Sequence, residues 1–343
     1  VDELQPTAER AAELICAQQS CGAYAVEDLL YHDLGSTANF LCRLTSQLGN
    51  TYLDGRFSIP RVASEAPKNA GGCNDASPDM RPCQGQQGNP VVLGVGNKVE
   101  VQTDYVGAGV YPLQFTHYYN SRKGYMAGAS LGKNRRHTYE RSVQYMDLPS
   151  GPAATVSRYD GRGYTFSLLN GVWATDPGIR ATLIRLTDAG GAPAGWQYID
   201  VTDEVETYDV NGRLLAISNR AGFSHLLTYN AQGQLATVTD TVGRSLLFSY
   251  DSAGRITGMT DPAAGASGYQ YIYDAGFNLK SVTYPDGTVK SYHYEAPSGG
   301  TWLLTGVTDE NNSRYSTYSY NIDGQALSSE LAGGVQRIGI QYS

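Results

Sequence analysis

His137-Thr138-Tyr139-Glu140 sets an imidazole and a carboxylate three residues apart. On a helix that spacing would put both on one face, as a metal site or an acid/base pair needs. The flanking residues instead alternate in polarity as a strand does, and strand positions three apart face opposite ways, so the pair is expected to do neither. His117, His225 and His293 lie in strand-like runs beside Tyr or Leu and read as packing or surface residues, while His32 in LLYHDLG fits no pattern. Gly94-Val95-Gly96-Asn97-Lys98 has the glycines of a phosphate loop but lacks Gly-Lys-Ser/Thr and a following helix, and it reads as a hairpin turn. Asp209-Val210-Asn211-Gly212 and Asp323-Gly324 resemble openings of calcium loops without the remaining ligands or the closing Glu, and read as turns. There is no Gly-x-Ser-x-Gly elbow, and Cys16 has no neighbouring base in sequence. No catalytic, metal or cofactor site is assigned, and the chain is expected not to be an enzyme.

The five cysteines, Cys16, Cys21, Cys42, Cys73 and Cys83, all fall in the first quarter of the 343 residues. Their spacing matches no zinc ribbon, so disulfides are favoured over metal, with Cys73 to Cys83 the best local pair and one cysteine left over. Disulfides imply an oxidising compartment.

The elements that carry these residues are expected to be mainly β. With 41% hydrophobic and 17% charged residues the chain reads as globular, and its 40 glycines and 26 tyrosines favour short strands joined by tight turns. A net charge of -8 without a basic stripe argues against nucleic acid or an anionic membrane surface. No run of 18 apolar residues exists, so no membrane span is expected. No charged leader precedes an apolar core, which fits a cytoplasmic protein or a mature chain whose signal has been removed.

Four regions are expected. Residues 1–60 carry helix signals: Thr7 as an N-cap with Ala8, Ala11, Ala12 and Ile15 at helical spacing, then a helix from Ser36 presenting Phe40 or Leu41, Leu44 and Leu48 before Gly49. Asp54-Gly55 in TYLDGRFSI is a hairpin signal. Residues 61–90 read as a Pro/Gly/Cys linker. From 91 to 200 the period is two, with Val99, Val101 and Thr103 alternating against Lys98, Glu100, Gln102 and Asp104, and with Leu113, Phe115 and His117 following suit; this is a β lead-in module.

From 201 to 343 the chain repeats. Anchor tyrosines fall at Tyr208, Tyr229, Tyr250, Tyr273, Tyr294, Tyr320 and Tyr342, at intervals of 21, 21, 23, 21, 26 and 22 residues. Turn cues recur at Asp209 to Gly212, Asn219 to Gly222, Asn230 to Gly233, Asp240 to Gly243 and Asp251 to Gly254. An Asp or Asn can open a type I turn, and Gly three residues on can take the left-handed conformation of a G1-bulge hairpin. Each unit is then two strands and two turns. Leu215 with Ile217, Ala236 with Val238, Leu227 with Tyr229, and Leu246 with Phe248 and Tyr250 are expected to share faces, and stacked units bury an apolar surface that one unit cannot bury alone. Because the anchors share a face with Leu and Phe, packing is favoured over glycan stacking.

Tyr208-Asp209, Gly212-Arg213-Leu214, Ile217 and Asn219 resemble the RHS, or YD-repeat, unit, as do Tyr250-Asp251, Gly254-Arg255-Ile256 and Asp261. The match fades at Tyr273-Asp274, with its displaced Gly276, and at Tyr294-Glu295. Residues 88–122 resemble the module that precedes the repeats in bacterial RHS proteins, and the likeness extends over about 250 of the 343 residues. It implies a long spiralling β-sheet, which in full-length members closes into a shell around a C-terminal effector. Such members include polymorphic toxins, insecticidal toxin components, cell-wall-associated proteins and the ectodomains of animal teneurins. With about six units, without the family's Asp-Pro-containing cleavage region, and with no effector after Ser343, an open sheet is expected rather than a closed shell. The leading expectation is a non-enzymatic, secreted or cell-surface structural protein, with periplasmic transit an option. It would pair through its edge near Ile338 to Tyr342 with another copy or with further YD-repeat strands. The alternatives are the N-terminal part of a toxin shell and a carbohydrate-binding or adhesion module.

Overall fold

Tyr, Val and Thr crowd the pleated positions of this chain and Gly punctuates them, and strands follow. The computed structural model describes residues 24–33, 37–46, 53–60, 86–87, 89–122, 129–263, 268–296 and 300–342. Among the described residues the helical content is one 3-10 turn, Ala332–Gly334, and no helix is long and apolar enough to cross a membrane. Contacts divide the chain into two units, Val1–Ser64 and Glu65–Ser343.

The first unit holds an antiparallel meander of β1 (Tyr24–Asp33), β2 (Thr37–Ser46) and β3 (Leu53–Pro60). This corrects the expected helical region. The run from Thr37 to Ser46 satisfies period two, through Phe40, Cys42 and Leu44, as well as the helical spacing, and pairing with a strand on each side decides between them. Asp54 and Gly55 are not a turn either; they lie inside β3 opposite Arg43 and Cys42. The helix placed at Thr7 to Ile15 and Cys16, Cys21, Cys73 and Cys83 lie outside the described residues.

The second unit begins with a five-stranded sheet of β4 (Gln86–Gln87), β5 (Val91–Val92), β6 (Asn97–Val106), β7 (Gln114–Asn120) and β8 (Arg135–His137). A four-stranded sheet follows, of β9 (Ser142–Leu148), β10 (Gly151–Ser157), β11 (Gly163–Leu169) and β12 (Val172–Ala174). The rest is one 15-stranded sheet from β13 (Thr182–Thr187) to β27 (Val335–Gly339), with every strand antiparallel to the next in sequence. A single apolar cluster joins these parts, running from Leu113, Phe115 and Phe166 through Trp196 and Tyr208 to Leu246, Tyr271, Val307 and Tyr318. Each such aromatic or aliphatic side chain contributes about 1.5–3 kcal/mol by burial.

Two turns per unit build the long sheet. In the turn after Tyr208 the Asp209 N–H donates to the Arg213 carbonyl at 2.9 Å, and the Gly212 N–H to the Asp209 carbonyl at 2.9 Å. The same two bonds recur at 219–223, 230–234, 240–244 and 251–255, each time with the glycine at positive φ.

The tyrosine-led turns also carry a bulge, and it corrects one expectation about faces. Pairing runs Thr207 with Ala216 and then Tyr208 with Leu214, so Leu215 is an extra residue. The same step leaves Ala236, Thr257, Lys280 and Leu327 as extras in later units. Strict alternation fails there: Leu214 and Ile217 are both buried while Leu215 is 38% exposed, and Leu235 rather than Ala236 is buried with Val238. The return strands at 224–229 and 245–250 enter without such a step, and Leu227 and Leu246 point inward with Tyr229, Phe248 and Tyr250 packed against the core.

Candidate functional site

On β6 the polar members of the alternation face inward. Lys98, Glu100 and Asp104 are buried, whereas Val101 is 50% exposed. Buried charge requires partners, and they come from the long sheet. Tyr271 and Tyr284 donate their hydroxyls to Asp104 at 2.9 and 3.2 Å, and Tyr318 donates to Glu100 at 3.1 Å. Lys98 Nζ pairs with Glu100 at 2.7 Å and lies 4.2 Å from the centre of the Tyr318 ring.

His117 is wholly buried between these groups. Arg135 can only donate, so its 2.8 Å contact with Nδ1 makes that nitrogen the acceptor and leaves the proton on Nε2, 3.5 Å from Asp104 and 3.4 Å from the Tyr292 hydroxyl. Burial lowers the His117 pKa and outweighs the raising influence of Asp104, so the ring is neutral. The Arg135 guanidinium sits 4.1 Å over the Tyr292 ring.

A second buried cluster closes the other end of the junction. Arg158, in the turn after β10, donates to both carboxylate oxygens of Glu206 at 2.7 and 2.6 Å. Arg141 pairs with the same carboxylate and with Glu204 at 2.9 Å, and Tyr208 donates its hydroxyl to Glu206. Burial would raise the Glu206 pKa, but the two guanidiniums and the Tyr208 hydroxyl outweigh it and hold the carboxyl below its ordinary value.

The repeat anchors are structural parts of the sheet. Asp209 Oδ1 accepts from the N–H groups of Asn211 and Arg213, and its carboxylate pairs with the Arg213 side chain. Asn230, Asp251 and Asp274 open their turns through the same Oδ1-to-backbone bonds. Gly212, Gly233 and Gly254 take the positive φ. Five of the six later anchors then reach back one unit: Tyr229 donates to the Leu214 carbonyl, Tyr250 to Leu235, Tyr273 to Ile256, Tyr320 to Leu304 and Tyr342 to Ala326, at 2.6 to 2.9 Å, whereas the buried Tyr294 hydroxyl makes no such bond. Arg213 lies 4.6 Å over the Tyr229 ring, and Arg255 4.6 Å over that of Tyr273. Every letter of the repeat therefore has a contact.

The lead-in chain docks along this row of tyrosine-led turns. Val143 N–H donates to the Gly212 carbonyl, Ile256 N–H to Ser130, Lys133 N–H to Phe277, and Ala326 N–H to Gly96, at 2.7 to 3.0 Å, and Leu304 N–H donates to the Tyr119 hydroxyl at 2.9 Å. A Cβ on Gly212 would overlap the Val143 carbonyl oxygen.

His137 and Glu140 are brought together, contrary to the strand expectation. β8 stops at His137, a turn closed by Glu140 N–H to the His137 carbonyl follows at 2.8 Å, and Nε2 comes within 3.8 Å of Glu140 Oε2. Tyr139 N–H donates to His137 Nδ1 at 3.3 Å, so the proton is on Nε2. Burial drives the His137 pKa down to about 3 and the Glu140 pKa upward. The pair lines a cavity of about 350 Å³ beside Gln234 and Tyr250.

His225 and His293 are accounted for by packing and hydrogen bonding. His225 stacks on Tyr111 with ring centres 4.5 Å apart, and His293 Nε2 is 2.7 Å from the Thr308 hydroxyl. His32 lies on β1. Lys98 of the GVGNK stretch is held by Glu100, Gly324 closes a turn onto Asn321, and no group of three His, Cys, Asp or Glu side chains among the described residues could hold a metal.

A model of the RHS repeat matches residues 229–266. This chain carries an RHS repeat. A domain of unknown function, DUF6531, matches 88–166, which covers the start of the lead-in module of this RHS-repeat chain. No curated protein matches. Among solved structures, TcdB2-TccC3-Cdc42 is 15% identical over 71% of this chain and 14% of the other, with a TM-score of 0.30. A Photorhabdus luminescens Tc holotoxin pore is 15% identical over 73% and 15%, with a TM-score of 0.30. TcdB2-TccC3 without its hypervariable C-terminal region is 13% identical over 91% and 19%, with a TM-score of 0.30. The RHS-repeat chain thus spans 14 to 19% of the length of these proteins.

Sequence reasoning missed Asp104, Arg135, Arg141, Arg158 and Glu206. For Asp104 the available signal was the polar half of the β6 alternation, whereas Arg135, Arg141, Arg158 and Glu206 lie outside β6.

Proposed function

We propose that this RHS-repeat chain is a structural segment without catalytic activity of its own, part of a secreted or surface-associated assembly that grows by strand pairing at β27. The observation that carries the reading is Tyr342. It lies beyond β27 and donates to the Ala326 carbonyl at 2.8 Å, as Tyr229, Tyr250, Tyr273 and Tyr320 do to the unit before theirs, so the row of anchors runs on past the last strand of the sheet. The outer edge of β27 then offers N–H and C=O groups to a further strand, from another YD-repeat segment or from a second copy. The buried carboxylates Glu100, Asp104 and Glu206 all have partners at the junction, which is the use a scaffold makes of them.

Sedimentation velocity over a wide concentration range tests this. Concentration-dependent association that is lost in Gly339→Pro supports it, because the next residue, Ile340, donates inward to the Leu327 carbonyl, so the Gly339 N–H points outward and proline removes that edge donor. A monomer at every concentration, both alone and mixed with a separate YD-repeat segment, overturns it.

A further inference from the structure

The 15-stranded sheet has two ends, and the one opposite β27 is β13. Its neighbour inside the sheet is β14 (Pro193–Ile199), with a register that runs from Thr182 opposite Ile199 to Thr187 opposite Pro193. Proline has no N–H to give, so Thr187 and Pro193 are not a hydrogen-bonded pair, and the next residue, Asp188, turns its N–H inward to the Ala192 carbonyl at 2.8 Å. Backbone groups point to alternate sides along a strand, so Thr187, Arg185 and Leu183 hold their N–H and C=O groups outward. Among the described residues β13 pairs with β14 alone, and these outward groups make no hydrogen bond. Little closes this edge: β13 has no proline and no acidic residue, and its one charged side chain, Arg185, lies over the Tyr145 and Trp196 rings at 4.5 and 5.2 Å. On the opposite face Ile184 is 39% exposed.

We propose that β13 is a second assembly edge, which pairs antiparallel with β13 of a second copy about a two-fold axis at Ile184. The parity of the sheet selects this partner edge. Each strand runs antiparallel to the next and the sheet has 15 of them, an odd number, so β13 and β27 run in the same direction. Joining β27 of one copy to β13 of another, with the apolar faces kept on one side, would make a parallel pair, unlike every other pair in this sheet and less stable per residue. A two-fold axis normal to the sheet sets β13 antiparallel to its own mate and keeps the faces, as an isologous contact does. The side chains then choose the register. An axis at Arg185 would place two guanidiniums opposite each other, which is destabilising. An axis at Ile184 keeps outward groups facing outward groups and sets Leu183 opposite Arg185, Thr182 opposite Leu186, and Ile184 opposite its own mate, with no like charges paired. Leu183 and Arg185 then exchange both N–H···O bonds, and the two Ile184 side chains cover each other across a non-hydrogen-bonded pair. This contact is separate from β27 and holds whether or not β27 pairs.

Sedimentation velocity on the whole chain carrying Gly339→Pro, which blocks β27, tests the assignment. A concentration-dependent dimer is expected there, whereas a parent with both edges pairing builds longer chains. Adding Ile184→Glu sets two carboxylates across the axis and should weaken that dimer by about tenfold or more, while circular dichroism checks that the variant folds. Oxidation with copper phenanthroline reads the register. Ile184→Cys in the Gly339→Pro chain should give a reducible dimer absent without it, because facing Cα atoms about 4.5 Å apart lie within disulfide reach. Thr182→Cys, which faces Leu186 instead, should add none. A monomer at every concentration in the Gly339→Pro chain, a dimer that folded Ile184→Glu leaves intact, or equal cross-linking from the two cysteine variants overturns the proposal. If pairing at β27 alone fails, Gly339→Pro changes nothing and Ile184→Glu still abolishes association, so the two failures read differently.

Discussion

Glu206→Gln removes the one carboxylate that Arg158 touches and one of the two that Arg141 touches, while leaving side-chain volume almost unchanged. The side chains of Glu206 and Arg158 are 1% and 2% exposed. Solvent cannot take over, and an uncompensated guanidinium stays in the core. Breaking a buried pair in this way costs about 3–5 kcal/mol, a large part of the roughly 5–15 kcal/mol that holds a domain folded. Because Arg141 and Arg158 belong to the lead-in side and Glu206 to the long sheet, the loss falls on the docking of one on the other. Urea unfolding followed by the fluorescence of buried Trp196 reads it as a lower midpoint. Arg158→Met with Glu206→Leu should recover most of the loss, because hydrophobic replacement of a buried pair is often neutral. The pH dependence follows from the lowered folded pKa of Glu206. Its contribution is present above the ordinary value of 4.5 and is lost as pH falls below it, and Glu206→Gln should lack that limb. A single variant within about 1 kcal/mol of the parent, or a double variant no better than the single, would refute the reasoning.

Three further outcomes are expected. In a histidine NMR titration His137 should stay neutral until about pH 3; since its folded pKa is lowered, the associated stability is present above 6.5 and drains away as pH falls from there, and a His137 midpoint near 6.5 would contradict the buried site. Tyr250→Phe should lower stability by about 0.5–1.5 kcal/mol, and Tyr229→Phe likewise, with the double change close to additive; a null effect in chemical denaturation would mean the hydroxyl bonds to Leu235 and Leu214 contribute nothing. Gly222→Ala, with open space around it, should lose about 1–2 kcal/mol from its φ of +84°, whereas Gly212→Ala should lose clearly more because the Val143 carbonyl also stands in the way; equal losses by thermal melting would deny the close approach.

What could be read ahead divides by the range of the physics. The Asp/Asn-x-x-Gly turns were legible at 209, 219, 230, 240 and 251 because Asx bonding and a positive-φ glycine are decided within five residues. The bulge at Leu215 was not, since it shows only once Tyr208 pairs with Leu214. Thr37 to Ser46 fits two periods, and only the neighbouring strands chose. His137 and Glu140 meet because β8 ends where it does, a boundary that polarity alternation does not mark. The inward turn of Lys98, Glu100 and Asp104 depends on tyrosines about 170 to 220 positions further on, and no local pattern at β6 names them.

The bridges from the lead-in chain to the tyrosine-led turns have a consequence for how such a chain can vary in length. A strand may be added to a ladder at little cost, but a whole unit inserted between Gly212 and Ala326 would carry every later turn away from its fixed tether at Ser130, Lys133, Tyr119 or Gly96. The lead-in segment acts as a ruler laid along the first units, and it fixes their number. Past Ser329, whose hydroxyl accepts from the Asn89 N–H at 3.2 Å, no hydrogen bond to the lead-in chain among the described residues opposes further growth, so duplication is tolerated there and penalised upstream.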